Sequence, residues 1–253
     1  MLTSAFWGLV QGLTEFLPIS SSGHLVLVPA LLGMDEPDLG TSALLHFGTL
    51  LAVVAYYRHD LARLVRIRSD REARTILMLL AIGTVPAAIV GFTLDGPIEI
   101  VLEEPWIVAI ALIVTGVVLT FGLLIPAGTR TLADGRPGDA LVVGLAQAFA
   151  LVPGISRSGM TITAGLAQGL ERVQAARYAF LLAVPSIAGA ALLEGIELAD
   201  RGGFQTELLV GMAVAAVTGY AAIAFLIRLL ARFGLAPYAG YCILFGTTAY
   251  VLL

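Results

Sequence analysis

Residues 8–23 read Gly8-Leu-Val-Gln-Gly-Leu-Thr-Glu-Phe-Leu-Pro-Ile-Ser-Ser-Ser-Gly23, an apolar stretch that Pro, Ser and Gly interrupt near its middle. Residues 144–159 read Gly144-Leu-Ala-Gln-Ala-Phe-Ala-Leu-Val-Pro-Gly-Ile-Ser-Arg-Ser-Gly159 and are interrupted in the same way. A continuous helix is not expected through either segment. Non-helical backbone inside a membrane is tolerated only where it is buried in protein or lines a polar cavity. The segments 2–33 and 140–169 are therefore predicted to form two re-entrant helix-loop-helix hairpins.

The two quoted stretches align without gaps at an offset of 136 residues, which indicates an internal repeat. The same offset carries residues 58–74 onto 194–210 and residues 76–92 onto 212–228. We predict one membrane domain over 1–253, with repeat one at about 1–125 and repeat two at about 137–253. Three spans lie between the two hairpins, so the second copy is expected to be inverted in the membrane.

The composition indicates a protein whose main solvent is lipid. Hydrophobic residues make up 58% and charged residues 13% of 253 residues, and the mean hydropathy is +0.95, whereas soluble domains carry roughly a quarter charged residues. A spanning helix needs about 20 apolar residues. The fold class expected is an all-α integral membrane protein with two hairpins and about six spans: 41–57, 76–94, 106–126, 178–193, 208–227 and 236–253. The apolar segment 2–10 lacks a basic flank and is expected to remain in the mature protein.

The loop charges give the spans a direction, because positively charged loops stay in the cytoplasm. The loop 58–74 holds six arginines and is predicted to lie inside, whereas the loops 95–105 and 194–207 are acidic and are predicted to lie outside. Arg130, Arg136, Arg172, Arg177, Arg228 and Arg232 then fall inside. The net charge is −4, and no continuous basic face is evident, so nucleic-acid binding is not expected.

Two isolated charges lie at the hairpin breaks. Glu15 is the only acid in residues 1–34, and Arg157 is the only charged residue between Asp139 and Glu171. Because a charge in the bilayer is costly, such residues usually face an internal cavity and serve a function. The alternative is that the two side chains simply pair and hold the hairpins together. A buried ion pair stabilises less well than apolar packing, so the functional interpretation is favoured.

Hydroxyl side chains precede an apolar run at each break, which is the signal of a helix N-cap. The free N–H groups of a helix N-terminus bind anions, and the arginine between the second pair of serines is a planar bidentate donor. Simple capping is the alternative for each serine run taken alone. The predicted phosphate ligands are Ser20, Ser22, Ser156, Ser158 and Thr161.

A histidine three residues after Ser21 suggests proton transfer. If a helix begins near Ser21, the imidazole of His24 can approach that hydroxyl, and histidine titrates near neutrality. A lone histidine is more often structural, but a hydroxyl, a base, a carboxylate and a phosphate clamp together suit phosphoryl transfer. His46 begins a predicted span and is left open as a site residue, and His59 is expected to be solvated.

These residues resemble the motifs of a known family. Gln11-Gly-Leu-Thr-Glu15 with the following Ser20-Ser-Ser-Gly-His24 resembles the (E/Q)xxxE and Ser/His motif of bacitracin-resistance-type undecaprenyl-diphosphatases. Pro153-Gly-Ile-Ser-Arg-Ser-Gly-Met-Thr161 resembles their PGxSRSxxT motif, and the similarity extends along nearly the whole chain.

The resemblance implies an enzyme of the cytoplasmic membrane with its active site open to the outer face. It would hydrolyse undecaprenyl diphosphate to the monophosphate and phosphate, which recycles the lipid carrier for envelope synthesis, and it would use a divalent cation, Mg²⁺ or Ca²⁺. The implied catalytic residues are Glu15, Ser21, His24 and Arg157, and the implied metal ligands are Gln11 and Glu15. Glutamine at position 11 departs from members with Glu there, because an amide oxygen ligates a metal but cannot act as a base.

Two other functions share part of this sequence pattern: lipid transport and acid-phosphatase-type hydrolysis. Inverted repeats with discontinuous helices are typical of secondary transporters, so a transporter or flippase of a polyprenyl phosphate lipid is the alternative. An acid-phosphatase-type lipid phosphatase is excluded, because the chain has no Lys and no His after His59. The sequence leaves open the prenyl chain length, the oligomeric state, with a homodimer among the options, and the attacking group: Ser21, His24 or water.

Overall fold

A computed structural model describes residues 1–102, 104–126, 128–200 and 208–253. The described part is helical, and its only β-type pairing is an isolated bridge between Arg130 and Leu170. The helices are α1 Leu2–Phe16, α2 Ser21–Leu32, α3 Leu39–Tyr56, α4 Arg58–Leu64, α5 Arg71–Leu102, α6 Pro105–Leu123, α7 Pro137–Phe149, α8 Arg157–Ala167, α9 Arg172–Asp200, α10 Leu208–Phe233 and α11 Ala236–Leu252. The predicted all-α class is confirmed.

Each of the six predicted spans coincides with a helix. Four of them, in α5, α6, α9 and α10, are long and apolar enough to cross a membrane by length and composition. A fifth results if α3 and α4, which are bent by 77° at their junction, count as one broken span. α11 has 17 residues, at the short end of the roughly 17–25 residues that a spanning helix uses. Large apolar side chains such as Phe92, Val217 and Leu244 are exposed on these helices, as lipid-facing residues are.

Both predicted helix breaks are confirmed. α1 ends at Phe16, and α2 begins at Ser21 after Ser20, whose φ of +67° lies in the left-handed region. α7 ends at Phe149 and α8 begins at Arg157. The second break contains Gly154 at φ +90°, a conformation that costs glycine little because it has no Cβ.

The two repeats exchange packing partners. α1 packs against α10, and α7, its equivalent at the 136-residue offset, packs against α5, the equivalent of α10. Two further large contacts, α6 with α11 and α3 with α9, join equivalent helices, and α3 also packs against α10. The backbones of α1 and α10 approach closely, since a Cβ on Gly8 would lie 2.3 Å from the Gly211 oxygen. Those of α7 and α5 do the same, since a Cβ on Gly144 would lie 2.6 Å from the Gly83 oxygen. The opposite orientation of the repeats and their bounds stay predictions.

The predicted outer loops are shorter than expected. α9 continues to Asp200 and α5 to Leu102, so placing the whole of 194–207 and of 95–105 in loops was wrong. Glu194 lies on α9 and faces the protein interior, where it meets His46. Residue 103 and residues 201–207 lie outside the described residues, and so do the side chains of 94–102 and 197–200. Of the acids assigned to the outer loops, Asp95, Glu99, Glu103, Glu197, Asp200 and Glu207 therefore cannot be placed.

The arginine-rich segment 58–74 is tied to the second repeat by ion pairs. Arg63 contacts Asp70 and Glu72, each at 2.7 Å. Arg177, at the start of α9, pairs with Asp60 and contacts Glu72 at 3.0 Å. The predicted inner-side residue Arg177 therefore lies at the same end of the molecule as the segment 58–74.

Candidate active site

The two hairpin tips touch each other. A Cβ built on Gly23 would lie 3.1 Å from the Gly154 Cα atom, and the Ser158 hydroxyl donates to the Leu17 carbonyl at 3.0 Å. α6 holds the second tip from outside, because the Thr115 hydroxyl donates to the Gly154 carbonyl at 3.0 Å and accepts from the Ser156 N–H at 3.0 Å. Thr115 was not predicted as a site residue.

Glu15 lies where the tips meet and forms an ion pair with Arg157, the first residue of α8. The Glu15 side chain is only 1% exposed, whereas Arg157 is 26% exposed. One Nη of the guanidinium contacts Glu15 Oε1, which leaves other N–H groups of its donor fork for a further anion. The ion pair is the contact that the structural alternative expected, and a function for the two charges stays a prediction.

Two neutral donors contact the other oxygen of the same carboxylate. The Ser21 hydroxyl donates to Glu15 Oε2 at 2.5 Å, and Gln11 Nε2 donates to it at 3.0 Å. Both oxygens of Glu15 are therefore occupied by donors. The proposed contact between Ser21 and His24 is not formed, because the hydroxyl is turned toward the acid.

His24 is held by other groups. Its Nδ1 lies 2.7 Å from the Ser20 carbonyl oxygen, and its Nε2 lies 2.7 Å from the Tyr241 hydroxyl. The ring stacks on Tyr241 and Phe245 of α11 and is 4% exposed. The prediction that His24 reaches the Ser21 hydroxyl was wrong, because α11 supplies a partner that local spacing does not reveal.

The other hydroxyls cap helices at the tips. Ser20 accepts from the Gly23 N–H at 3.2 Å and lies 3.3 Å from Ser22, and its equivalent Ser156 accepts from the Gly159 N–H at 3.1 Å and lies 3.2 Å from Ser158. Thr161 donates to the Arg157 carbonyl at 2.7 Å. Ser156 and Thr161 are buried, whereas Ser22 is exposed. Capping is thus observed at both tips, and phosphate binding by these hydroxyls stays a prediction.

A second acid–histidine contact lies beside the first group. His46 Nδ1 is 3.1 Å from Glu194 Oε2, and the two side chains are 21% and 22% exposed. The charges of both Glu15 and Arg157 act on His46. The sequence left His46 open and put Glu194 in a loop. A histidine isolated in an apolar helix was the available signal for His46.

The implied cation site contains oxygen atoms of Gln11 and Glu15. Gln11 Oε1 is buried and has no hydrogen-bond partner, and Glu15 supplies carboxylate oxygens beside it. Hard cations prefer such oxygen donors, and Mg²⁺ is commonly held by one or two protein ligands together with substrate phosphates. Across the described ranges, no group of three or more His, Cys, Asp or Glu side chains could hold a metal. A cation held here would bind Gln11 Oε1 and would replace one of the donors on Glu15, and its remaining ligands would come from a phosphate group.

Comparison with known proteins identifies the family. Residues 4–248 match the family model described as bacitracin resistance protein BacA. The chain is 43% identical to the undecaprenyl-diphosphatase of Trichlorobacter lovleyi, over 100% of this chain and 97% of the relative. It is 45% identical to that of Geobacter sulfurreducens, over 97% and 96%, and 44% identical to that of Thermomicrobium roseum, over 96% and 94%. By this full-length similarity, the chain belongs to the bacitracin resistance protein BacA family.

Proposed function

We propose that this membrane protein hydrolyses undecaprenyl diphosphate to the monophosphate and inorganic phosphate, which recycles the lipid carrier for cell-envelope synthesis. Full-length relatives are named for this activity. The observation that carries the proposal is the contact of Ser21 and Arg157 with the one carboxylate of Glu15 at the meeting point of two helix breaks. None of the relatives described above is named as a transporter, so the flippase alternative gains no support.

The site offers several anion donors to a diphosphate. α2 and α8 both begin at the tips, and the first N–H groups of a helix have no partner within it. The partly exposed Arg157 adds a planar fork that suits phosphate oxygens. Because these groups are preorganised and lie among buried apolar residues, they stabilise charge that develops on the transferred phosphoryl group.

The 2.5 Å contact between Ser21 and Glu15 supports a first proton transfer from the hydroxyl to the carboxylate. Ser21 Oγ attacks the terminal phosphorus while its proton passes to Glu15 Oε2. The bond from that phosphorus to the bridging oxygen breaks, and its electron pair leaves with the lipid monophosphate. Water then attacks the phosphoserine and gives up one proton. The bond from phosphorus to Ser21 Oγ breaks, and Oγ takes back the proton held by Glu15 as inorganic phosphate leaves. Direct attack by water on the substrate is the second route.

A divalent cation is part of the proposal. Glu15 and the partnerless Oε1 of Gln11 are the side chains that would hold it. When bound, it would neutralise part of the charge of the diphosphate. Because position 11 is an amide, Glu15 supplies the only carboxylate of this pair of ligands. We therefore expect weaker cation binding than two carboxylates would give.

We also propose that the protein lies in the cytoplasmic membrane with its site open to the outer face. The arginines of segment 58–74 and Arg177 lie at one end of the molecule, the end expected inside. Glu194 lies roughly 26 Å further along α9 at the usual helical rise, and it faces His46 beside the site. The site is thus displaced from the arginine-rich end.

Phosphate release by the purified protein in detergent tests the activity, because transport cannot occur there. We expect release of one phosphate per undecaprenyl diphosphate, and an Arg157→Ala variant should have lost it. Arg68 is exposed and lies in the arginine-rich segment 58–74, away from Arg157 in the sequence. Arg68→Ala is therefore the matched control. Failure of the wild-type protein to release phosphate, with the substrate and Mg²⁺ or Ca²⁺ present, would overturn the proposed function.

A further inference from the structure

We infer that His46, oriented by Glu194, takes the proton from the water molecule that the reaction consumes. This inference rests on the proposed hydrolase function, and it concerns a histidine outside the two sequence motifs. Every hydrolytic route consumes one water, whether that water attacks the lipid diphosphate or the phosphoserine. As the water oxygen bonds to phosphorus, one of its protons passes to His46 Nε2. The bond from phosphorus to the leaving oxygen breaks with its electron pair.

The first reason is the way the ring is held. Nδ1 of His46 lies 3.1 Å from a carboxylate oxygen of Glu194, and a ring nitrogen that faces a carboxylate carries the proton. In the neutral ring the other nitrogen, Nε2, is then the acceptor. Nε2 has no hydrogen-bond partner among the residues that the structure describes. A carboxylate that orients a histidine and stabilises its protonated form is the arrangement used in general-base catalysis.

The second reason is location. α3 carries His46 and packs against α1, which carries Glu15, and against α9, which carries Glu194. The charges of Glu15 and of Arg157 on α8 act on the imidazole. From α10, which also packs on α3, Tyr220 and Arg228 face Tyr56 at the other end of the helix. The titratable neighbours of His46 are therefore groups of the site.

The third reason is the contrast with His24, which is buried. Both nitrogens of His24 already have partners, the Ser20 carbonyl and the Tyr241 hydroxyl, and the ring is 4% exposed. Water cannot reach a nitrogen of His24 without breaking one of these contacts. His46 is 21% exposed, so its side chain is less enclosed than that of His24. The structure therefore assigns His24 to holding α11 against the first hairpin tip and His46 to proton transfer.

The three histidines of the chain make a matched set of variants. We would measure kcat and KM for undecaprenyl diphosphate in detergent from pH 5 to 9, for wild type, His46→Gln, His24→Gln and His59→Gln. For His46→Gln we expect kcat to fall about 100-fold or more, as for loss of a general base, and the decline of kcat toward acid pH to disappear. His59 is exposed on α4, and its variant should match wild type.

Glu194→Gln keeps the histidine and tests the orienting carboxylate separately. Loss of the negative charge makes the imidazolium less stable, so the acid limb of the kcat profile should move to lower pH, with KM nearly unchanged. The inference is overturned if His46→Gln keeps the acid limb, if His24→Gln alone loses it, or if Glu194→Gln leaves its position unchanged. An inactive wild-type protein would instead overturn the proposed function.

Discussion

Ser21 Oγ lies 2.5 Å from Oε2 of Glu15 and donates its hydrogen bond to that carboxylate, not to a histidine. The acid that pairs with Arg157 thus also accepts the hydrogen bond of the Ser21 hydroxyl. In the proposed mechanism, protonation of Glu15 by Ser21 would remove the negative charge that holds Arg157 and free the guanidinium for the transferred phosphoryl group. Nucleophile activation and phosphate binding would then be coupled through one side chain.

Ser21→Ala tests the nucleophile. If Ser21 attacks phosphorus, kcat should fall by several orders of magnitude while KM stays nearly unchanged, because only a transition-state interaction is removed. Phosphate release in detergent measures both constants, and Ser69→Ala, at an exposed serine of the 58–74 segment, is the control. Retention of more than a tenth of the activity, a penalty below about 1.4 kcal/mol, would favour direct attack by water.

Arg157→Lys tests whether the planar guanidinium group is needed in addition to its positive charge. The ammonium group keeps the charge beside Glu15 but cannot reproduce bidentate contact with phosphate. We expect a folded protein whose kcat/KM is lower by about 100-fold, or roughly 2.7 kcal/mol of transition-state stabilisation. Circular dichroism and the thermal midpoint establish folding, and Arg68→Lys is the matched control. Wild-type turnover by the lysine variant would show that the ion pair is structural only.

Gly8→Ala tests the exchange of helices between the repeats. The new methyl group would lie 2.3 Å from the Gly211 carbonyl oxygen, so α1 and α10 must separate, at a cost of about 1–3 kcal/mol. The thermal midpoint in detergent should fall. Gly240→Ala on α11 meets no atom within 4 Å and should leave the midpoint unchanged. Equal midpoints for the two variants would contradict the close crossing of α1 and α10.

Single cysteines test the predicted inversion of the repeats. Cys242 is buried, so we would replace it by Ser and place Arg68→Cys or Glu104→Cys, both at exposed positions. A membrane-impermeant thiol reagent added to intact cells should label position 104 and not position 68, which the positive-inside rule puts in the cytoplasm. Labelling of both positions from the same side would contradict the predicted topology.

Asp70 gives the stability a defined pH dependence at the start of α5, outside the membrane. Its carboxylate accepts from the Ala73 N–H at 3.1 Å and pairs with Arg63, and these contacts hold the pKa of Asp70 below its usual value. Because the pKa is lower in the folded state, the stabilisation is complete above about pH 4–5 and is lost as pH falls through the folded pKa.

Asp70→Asn keeps a good N-cap but removes the charge. Thermal midpoints should therefore show the wild type above the variant at pH 6, with the difference shrinking toward pH 3. A difference that stays constant over this range would exclude the carboxylate as its source.

The fold and the centre of the site were predictable where the signal is local. Proline, glycine and serine in an apolar stretch locate both helix breaks, and the two isolated charges Glu15 and Arg157 must find a partner wherever the bilayer excludes water. Caps at Ser20 and Ser156 follow from the same short stretches. The breaks and caps needed only the residues within one hairpin, and the role of the two charges needed only the cost of exposing a charge to lipid.

The predictions that were wrong concern contacts between segments that are distant in the sequence. His24 was assigned to Ser21 from a three-residue spacing, but its ring meets Tyr241, 217 residues away. Glu194 was assigned to the acidic loop 194–207 that follows the predicted span 178–193, but it meets His46, 148 residues away. Sequence spacing predicts which side chains share a helix face, whereas the neighbouring helix decides where a side chain turns. A single sequence carries no signal for either pairing.

The packing of α1 on α10 also bears on how the protein is made. α1 leaves the ribosome early, but α10 follows about 200 residues later, and Arg157, the counter-ion of Glu15, follows by 142 residues. A chain arrested between these points holds an acid in an apolar segment with neither its arginine nor its helix partner. We therefore expect the first hairpin to depend on the membrane-insertion machinery until the second one is synthesised, and short nascent chains to be targets of membrane quality control.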